Sequence, residues 1–156
     1  MDATMTEKPR SSTDRRARLT LQEVNAFLAL EFPQMQQDGP TYEIESIGFG
    51  ESRMRLFVSE RHLRPGGTVS GPSMMALADV ALYVALLGAI GPVKLAVTTS
   101  LNINFLRKPE FGDVIATCRY LKIGRTLAVG EAALRSSGSD DLIAHVTATY
   151  SIPSKG

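Results

Sequence analysis

One carboxylate stands alone in the most apolar stretch of the chain. Residues 72–90 read PSMMALADVALYVALLGAI, and Asp79 is the single charge among them. A carboxylate flanked by Leu77, Ala78, Val80, Ala81 and Leu82 is costly unless it is paired, hydrogen-bonded or protonated. Beside a substrate it can serve as a general base or as a nucleophile. The plainer alternative is an Asp at a helix edge, paired with an Arg such as Arg64 or facing interface water. Just ahead stand Gly71 and Pro72. An amide at a helix N-terminus has no intrahelical partner, and the helix dipole favours developing negative charge there. Such an amide can polarise a carbonyl oxygen. Gly71 permits close approach, and Pro72 removes the next donor. An acid that activates water and an amide that polarises a carbonyl oxygen together suit chemistry at a carbonyl carbon.

The spacing adds a constraint. Gly71 and Asp79 are eight residues apart, about 12 Å of rise on one helix. One acyl carbon cannot touch both within a single chain. If both act, they come from different subunits with helices antiparallel across an interface, so the chemistry entails a homodimer with two equivalent sites. Tyr83 follows Asp79 by four residues and shares its helix face. Its hydroxyl can orient water or line an acyl pocket, or the ring can be an ordinary core aromatic. Met74 and Met75 fill the core or adapt to varied acyl groups.

The whole chain sets the frame for that pair. Its 156 residues carry 17 basic and 16 acidic side chains, a net charge of +1, with 44% hydrophobic residues. That length suits one domain able to bury a core. No net field draws in nucleic acid. A single cysteine, Cys118, excludes an internal disulfide and a thiolate zinc site, and two histidines, His62 and His145, make a poor metal cage. Cys118 alternates with Ala116 and Tyr120 and reads as a buried strand residue. Residues 1–18 lack apolar periodicity and are expected to form a flexible N-terminal arm, with the domain over 19–156. No hydrophobic stretch follows the arm's basic residues, so no secretory signal is expected and the location is cytoplasmic. The 72–90 run is nearly long enough to cross a membrane, but an Asp at the bilayer centre costs about 2.5–3.5 kcal/mol. No membrane partner is expected. The run reads as a core helix buried on nearly all sides.

The remaining elements must position that helix. Thr20 and Glu23 make a capping box ahead of LQEVNAFLALEF, which predicts an amphipathic helix over 21–32. Residues 41–48 and 52–59 alternate as two strands across Phe49-Gly50-Glu51. After the loop RHLRPGGTVSG and the helix come four β-rich runs, 94–107, 112–122, 125–136 and 141–152. Short connections predict that consecutive strands pair antiparallel as a meander. A helix without a polar face needs cover on several sides, and a curled antiparallel sheet supplies it.

The stretches GGTVSGPSMMALADVALYVA, TTSLNINFLRKPEFGD and LKIGRTLAVGEAAL, with the ending AHVTATYSIP, resemble the hotdog-fold thioesterases of the PaaI-like (phenylacetic acid degradation) branch, in the 4-hydroxybenzoyl-CoA thioesterase superfamily. The resemblance spans about residues 40–152. It implies an α+β hotdog fold, with an antiparallel sheet wrapped around a long central helix and a short helix at the N-terminus. It also implies dimers or dimers of dimers that hydrolyse acyl-CoA thioesters. The Gly71 amide matches the family's oxyanion donor, and Asp79 its catalytic carboxylate. Ser70, Pro72 and Arg64 depart from the family pattern, which has His-Gly-Gly at the helix head and an Asn or Gln some six residues earlier.

The expected function is therefore an acyl-CoA thioester hydrolase with Asp79 and Gly71 at a dimer-interface site. It uses no cofactor beyond the coenzyme A thioester itself. Ser70, Tyr83 and Arg64 are candidates to contact the substrate. Arg107, Lys108 and Arg125, with Lys122, are candidate partners for coenzyme A phosphates. Arg64 can also bind an acyl carboxylate or neutralise Asp79. Two other readings remain: a hotdog module that holds an acyl ligand without turnover, and a hotdog dehydratase or hydratase using His62, the one histidine near the helix.

Overall fold

A computed structural model describes residues 15–37 and 39–154. Residues 1–14 of the expected arm lie outside that range. From Arg15 onward the chain is in contact with the domain. The Arg15 guanidinium sits 5.3 Å above the Phe49 ring, and the Arg18 amide donates to the Gly88 carbonyl.

Helix α1 (Leu21–Glu31) begins at the capping box: Thr20 Oγ1 accepts from the Glu23 amide, and Glu23 Oε2 accepts from the Thr20 amide. Val24 and Leu28 turn inward. A 3-10 turn over Pro33–Gln36 leads to β1 (Tyr42–Gly48) and β2 (Glu51–Leu56). Helix α2 (Gly71–Ile90) follows, then β3 (Val97–Phe105), β4 (Val114–Ile123), β5 (Leu127–Ser136) and β6 (Leu142–Ser151). All six strands form one antiparallel sheet, and α2 packs against it.

The sheet order is β1-β2-β4-β5-β6-β3, which corrects the expected meander. β3 does not pair with β4. It crosses to the far edge and pairs with β6, setting Thr98 against Tyr150 and Phe105 against Ala144. The connecting residues 106–113 contain Pro109 and a Gly112 at φ 124°. That is a crossover length rather than a tight hairpin.

The sheet grips α2 through hydroxyls as well as apolar contacts. Tyr150 Oη lies 2.6 Å from the Asp79 carbonyl oxygen, Ser52 Oγ 2.6 Å from that of Ala81, and Tyr120 Oη 2.9 Å from that of Leu82. Near its C-terminal end α2 touches β1 backbone to backbone. A Cβ at Gly88 would lie 2.2 Å from the Gly48 carbonyl oxygen, so only glycine fits there. These contacts fix both the height and the rotation of the helix.

The burial of α2 is one-sided over its first three turns, a second correction. Leu77, Ala78, Ala81 and Leu82 are fully buried, whereas Pro72, Met75 and Ala76 are exposed. Asp79, Val80 and Tyr83 continue that stripe at intermediate burial. The edge strand β3 is open as well, and Leu95, Val97, Phe105 and Leu106 are all more than half exposed. Among the described residues α2 is the one helix long and apolar enough to cross a membrane, and its inner face is the core of this domain.

Candidate active site

The structure gives Asp79 two hydroxyl donors. Thr98 of β3 donates through Oγ1 to Asp79 Oδ1 at 2.5 Å, and Tyr150 of β6 places its hydroxyl 2.5 Å from the same oxygen. Neither is marked by sequence spacing, since they stand 19 and 71 residues away. Both bonds converge on Oδ1, and Oδ2 accepts no hydrogen bond among the described residues. Burial, then the neighbouring Asp79 charge and the hydrogen bond, push the Tyr150 hydroxyl far above its ordinary pKa, so it remains a donor.

Asp79 lies where two cavities meet, and Phe32 and Val80 line both. The first, about 430 Å³, is walled by Tyr83, Ala96, Val97, Thr98 and Tyr150, with the Glu31–Lys94 ion pair (3.2 Å) at its rim. The Tyr83 hydroxyl donates to the Val93 carbonyl at 2.7 Å, so the ring forms a fixed wall beside the acid. The second cavity, about 420 Å³, lies against the 3-10 turn Pro33–Gln36 and the start of β1 and contains Met35, Thr41, Tyr42, Arg61 and His62.

Gly71 opens onto a different cavity of about 680 Å³. Arg64, Arg107 and Lys108 line it with Gly71 and Met74, so three of the expected cations gather at the helix head. The Phe105 ring covers Gly71; a Cβ there would meet Phe105 Cζ at 3.1 Å. In the first turn of α2, Pro72 has no N–H. Ser70 Oγ takes the Ser73 amide, and the Ser70 carbonyl takes that of Met74. The Gly71 amide is left without a hydrogen-bond partner among the described residues.

Ser70 is the N-cap, and its hydroxyl also donates to Ser73 Oγ at 2.8 Å. It is committed to the helix start. Arg64 stands with Gly71 and not in either cavity lined by Asp79 of its own chain. Arg125 is exposed in the β4–β5 hairpin, and none of these cavities includes it. Met74 is buried, and Met75 is exposed on the α2 stripe. Cys118 is buried between the sheet and α2, and burial pushes its thiol up to about 12.

His62 closes the 3-10 turn Glu60–His62. Its Nδ1 accepts from the Ser59 amide at 2.9 Å, so in the neutral ring the proton sits on Nε2. Burial, with the Arg61 charge second, holds its pKa below the ordinary value. The His62 carbonyl accepts from the Ser70 amide at 2.7 Å, which stitches this turn to the head of α2.

The thioesterase superfamily model matches residues 66–143, from the loop before α2 into β6. A solved structure named "putative thioesterase" from Silicibacter sp. TM1040 shares 48% identity, with a TM-score of 0.80 over 88% of this chain and 94% of its own. A mutant of the phenylacetic acid degradation protein PaaI from Thermus thermophilus shares 27% identity at a TM-score of 0.67, covering 78% of this chain and 99% of its own. The 1,4-dihydroxy-2-naphthoyl-CoA hydrolase of Listeria monocytogenes is 29% identical across 57% of this chain and 72% of its own. With a sheet curled on one long helix, and a hydroxyl-held acid and an open amide along that helix, these matches show that the chain belongs to the hotdog-fold thioesterase superfamily, in its PaaI-like branch.

Proposed function

We propose that this protein is an acyl-CoA thioester hydrolase whose site is completed by a second copy of the chain. The observation that carries the reading is the division of labour along α2. Asp79 and the open Gly71 amide face separate cavities of one protomer, and both lie beside the apolar, unpaired edge formed by β3 and the α2 stripe. Thr98 holds Asp79, and Phe105 covers Gly71. If two β3 edges pair antiparallel about a two-fold near the middle of the strand, the Thr98 end of one lies beside the Phe105 end of the other. Asp79 of one protomer then approaches the helix head of its partner. The same contact covers Met75 and Val97.

In this arrangement the thioester oxygen accepts from the Gly71 amide, where the helix dipole favours the charge that develops. Asp79 Oδ2 takes a proton from the attacking water, or attacks the carbonyl carbon itself to give a mixed anhydride that water then hydrolyses, restoring the carboxylate; Oδ1 is held by Thr98 and Tyr150. The thiolate of coenzyme A leaves. Arg64, Arg107 and Lys108, beside Gly71, offer charge to its phosphates, and Arg125 offers a more distant one. Coenzyme A thioesters also make the cytoplasm the expected compartment.

The test is thiol release from a panel of short, branched, aromatic and long acyl-CoAs, with wild type and Asp79→Asn. Release by the wild type that falls in the variant supports hydrolysis. Tight binding with no release in either leaves a non-catalytic acyl-binding module.

A further inference from the structure

Of the two cavities that Asp79 lines, the one of about 430 Å³ includes Thr98 and Tyr150, the residues that hold its carboxylate. It extends from that acid along α2 to Tyr83, one turn further on and about 6 Å along the axis. There the Tyr83 hydroxyl donates to the Val93 carbonyl, and the Glu31–Lys94 ion pair forms the rim. The walls between are carbon: Phe32, Val80, Ala96, Val97 and the Tyr83 ring. The polar side chains are already committed. Thr98 and Tyr150 serve Asp79 Oδ1, Tyr83 serves Val93, and Glu31 and Lys94 serve one another. The Lys94 side chain is 64% exposed, so solvent serves its remaining protons. Charge points the same way. Two carboxylates, Asp79 and Glu31, stand against one ammonium, so the lining is net negative. Glu31 and Phe32 come from the end of α1, outside the matched segment 66–143, so this lining is partly the chain's own.

Resting on the thioester-hydrolase reading, we infer that this cavity receives the acyl tail and selects uncharged tails that end in carbon, with Tyr83 and Glu31 setting that choice. A carbon tail meets carbon walls and leaves no polar group unpaired. A hydroxyl at the tip would give up its water and find the nearby acceptor taken, which costs affinity. A carboxylate at the tip would also lie in the field of Asp79 and Glu31. The Tyr83 hydroxyl matters because it occupies the Val93 carbonyl, the acceptor that a hydroxyl-ended tail needs. Glu31 matters because it offsets Lys94; without it the rim would offer an uncompensated ammonium to an anionic tail.

The experiment compares hexanoyl-, 6-hydroxyhexanoyl- and adipyl-CoA, chains of equal carbon number that differ at the distal end. Turnover is read as kcat/KM, and binding is read by calorimetry with non-hydrolysable thioether analogues. The expected result is a preference of about ten- to a hundredfold for hexanoyl over each of the others. Variants should move that preference in different directions. Tyr83→Phe keeps the ring and bares the Val93 carbonyl, so it should narrow the gap to the hydroxyl-ended chain and not the gap to adipyl. Glu31→Gln should narrow the adipyl gap and Lys94→Met should widen it, by about two- to fivefold each. Equal kcat/KM and equal affinity for the three chains, or a preference for a polar end, overturn the inference and leave hydrolysis standing. A preference for hexanoyl that none of the variants shifts overturns its assignment to this cavity. A binding preference without turnover keeps the selectivity and overturns the hydrolase reading. Absence of both turnover and binding overturns both.

Discussion

Tyr150 Oη stands 2.5 Å from Asp79 Oδ1 and 2.6 Å from the main-chain oxygen of the same residue. A phenol has a single proton, so the two acceptors share it. That sharing ties the rotamer of the acid to the backbone of α2. Thr98 Oγ1 adds a second donor to Oδ1. Tyr150→Phe should keep the ring packing against Tyr120 and cost about 1–3 kcal/mol of stability. Thioester hydrolysis should fall more steeply than stability, mainly in kcat. Combined with Thr98→Val, the loss should be non-additive, because both hydroxyls serve one oxygen. Denaturation curves and steady-state kinetics on the two single variants and the double variant measure this.

Two glycines on α2 should behave differently. Gly88→Ala drives a methyl to 2.2 Å from the Gly48 carbonyl oxygen, with backbone on both sides of the clash. A loss of about 2–4 kcal/mol is expected in urea denaturation. Gly71→Ala meets only the Phe105 ring at 3.1 Å, and Phe105 is half exposed and can shift. Its melting temperature should move little while turnover drops at least about tenfold, because the methyl crowds the open amide.

The exposed stripe predicts what a charge on it does. Met75 is 39% exposed and apolar. Met75→Glu should leave the circular dichroism spectrum unchanged, shift sedimentation from dimer to monomer, and abolish hydrolysis with the same concentration dependence. A variant that remains dimeric and active would show that the subunit contact lies elsewhere.

His62 gives stability a pH dependence of known sign. Its folded pKa is held below the ordinary 6.5, because the ring is buried and Arg61 is near. The neutral form is favoured in the fold, so this contribution is present above the unfolded pKa and is lost as pH falls through the folded one. Protonation would also end the acceptance of the Ser59 N–H by Nδ1. Glu131 has the same sign at lower pH. Hydrogen bonds from His145 and Arg119 hold it below the usual 4.5, so its contribution is lost as pH falls beneath that range. Urea midpoints should decline in two stages on acidification, with His62→Gln removing the upper stage and Glu131→Gln the lower.

Cys118 should resist modification. With its thiol pushed up to about 12 by burial, almost no thiolate exists near neutral pH. Labelling by a thiol reagent should proceed only at the rate of global unfolding, and fast labelling of the native protein would contradict the buried placement.

The sequence readily reveals what depends on neighbours along the chain. The Thr20–Glu23 box, the alternation of the strands and the apolar run around Asp79 all report local geometry, and α1, the six strands and α2 follow from them. Alternation names the face on which a side chain lies but not the strand beside it, so the pairing of β3 with β6 was not legible. Thr98 and Tyr150 escaped for the same reason, as they meet Asp79 only once that edge forms. The stripe of Pro72, Met75 and Ala76 was hidden by chemistry, because an apolar residue left exposed on the domain looks the same in sequence as one buried in the core. His62 was visible as the histidine nearest the helix, but its fixed tautomer depends on the Ser59 amide.

The crossover of β3 also sets an order of assembly. During synthesis Val97–Phe105 leaves the ribosome while its neighbour in the sheet, Leu142–Ser151, is still to be made, with residues 106–141 translated between them. Through that interval both borders of the strand are bare, and it carries apolar side chains at each end. The nascent chain must keep this segment from premature association until its last strand arrives, so the edge proposed above to join two protomers is also the point where an unfinished chain is most prone to stick.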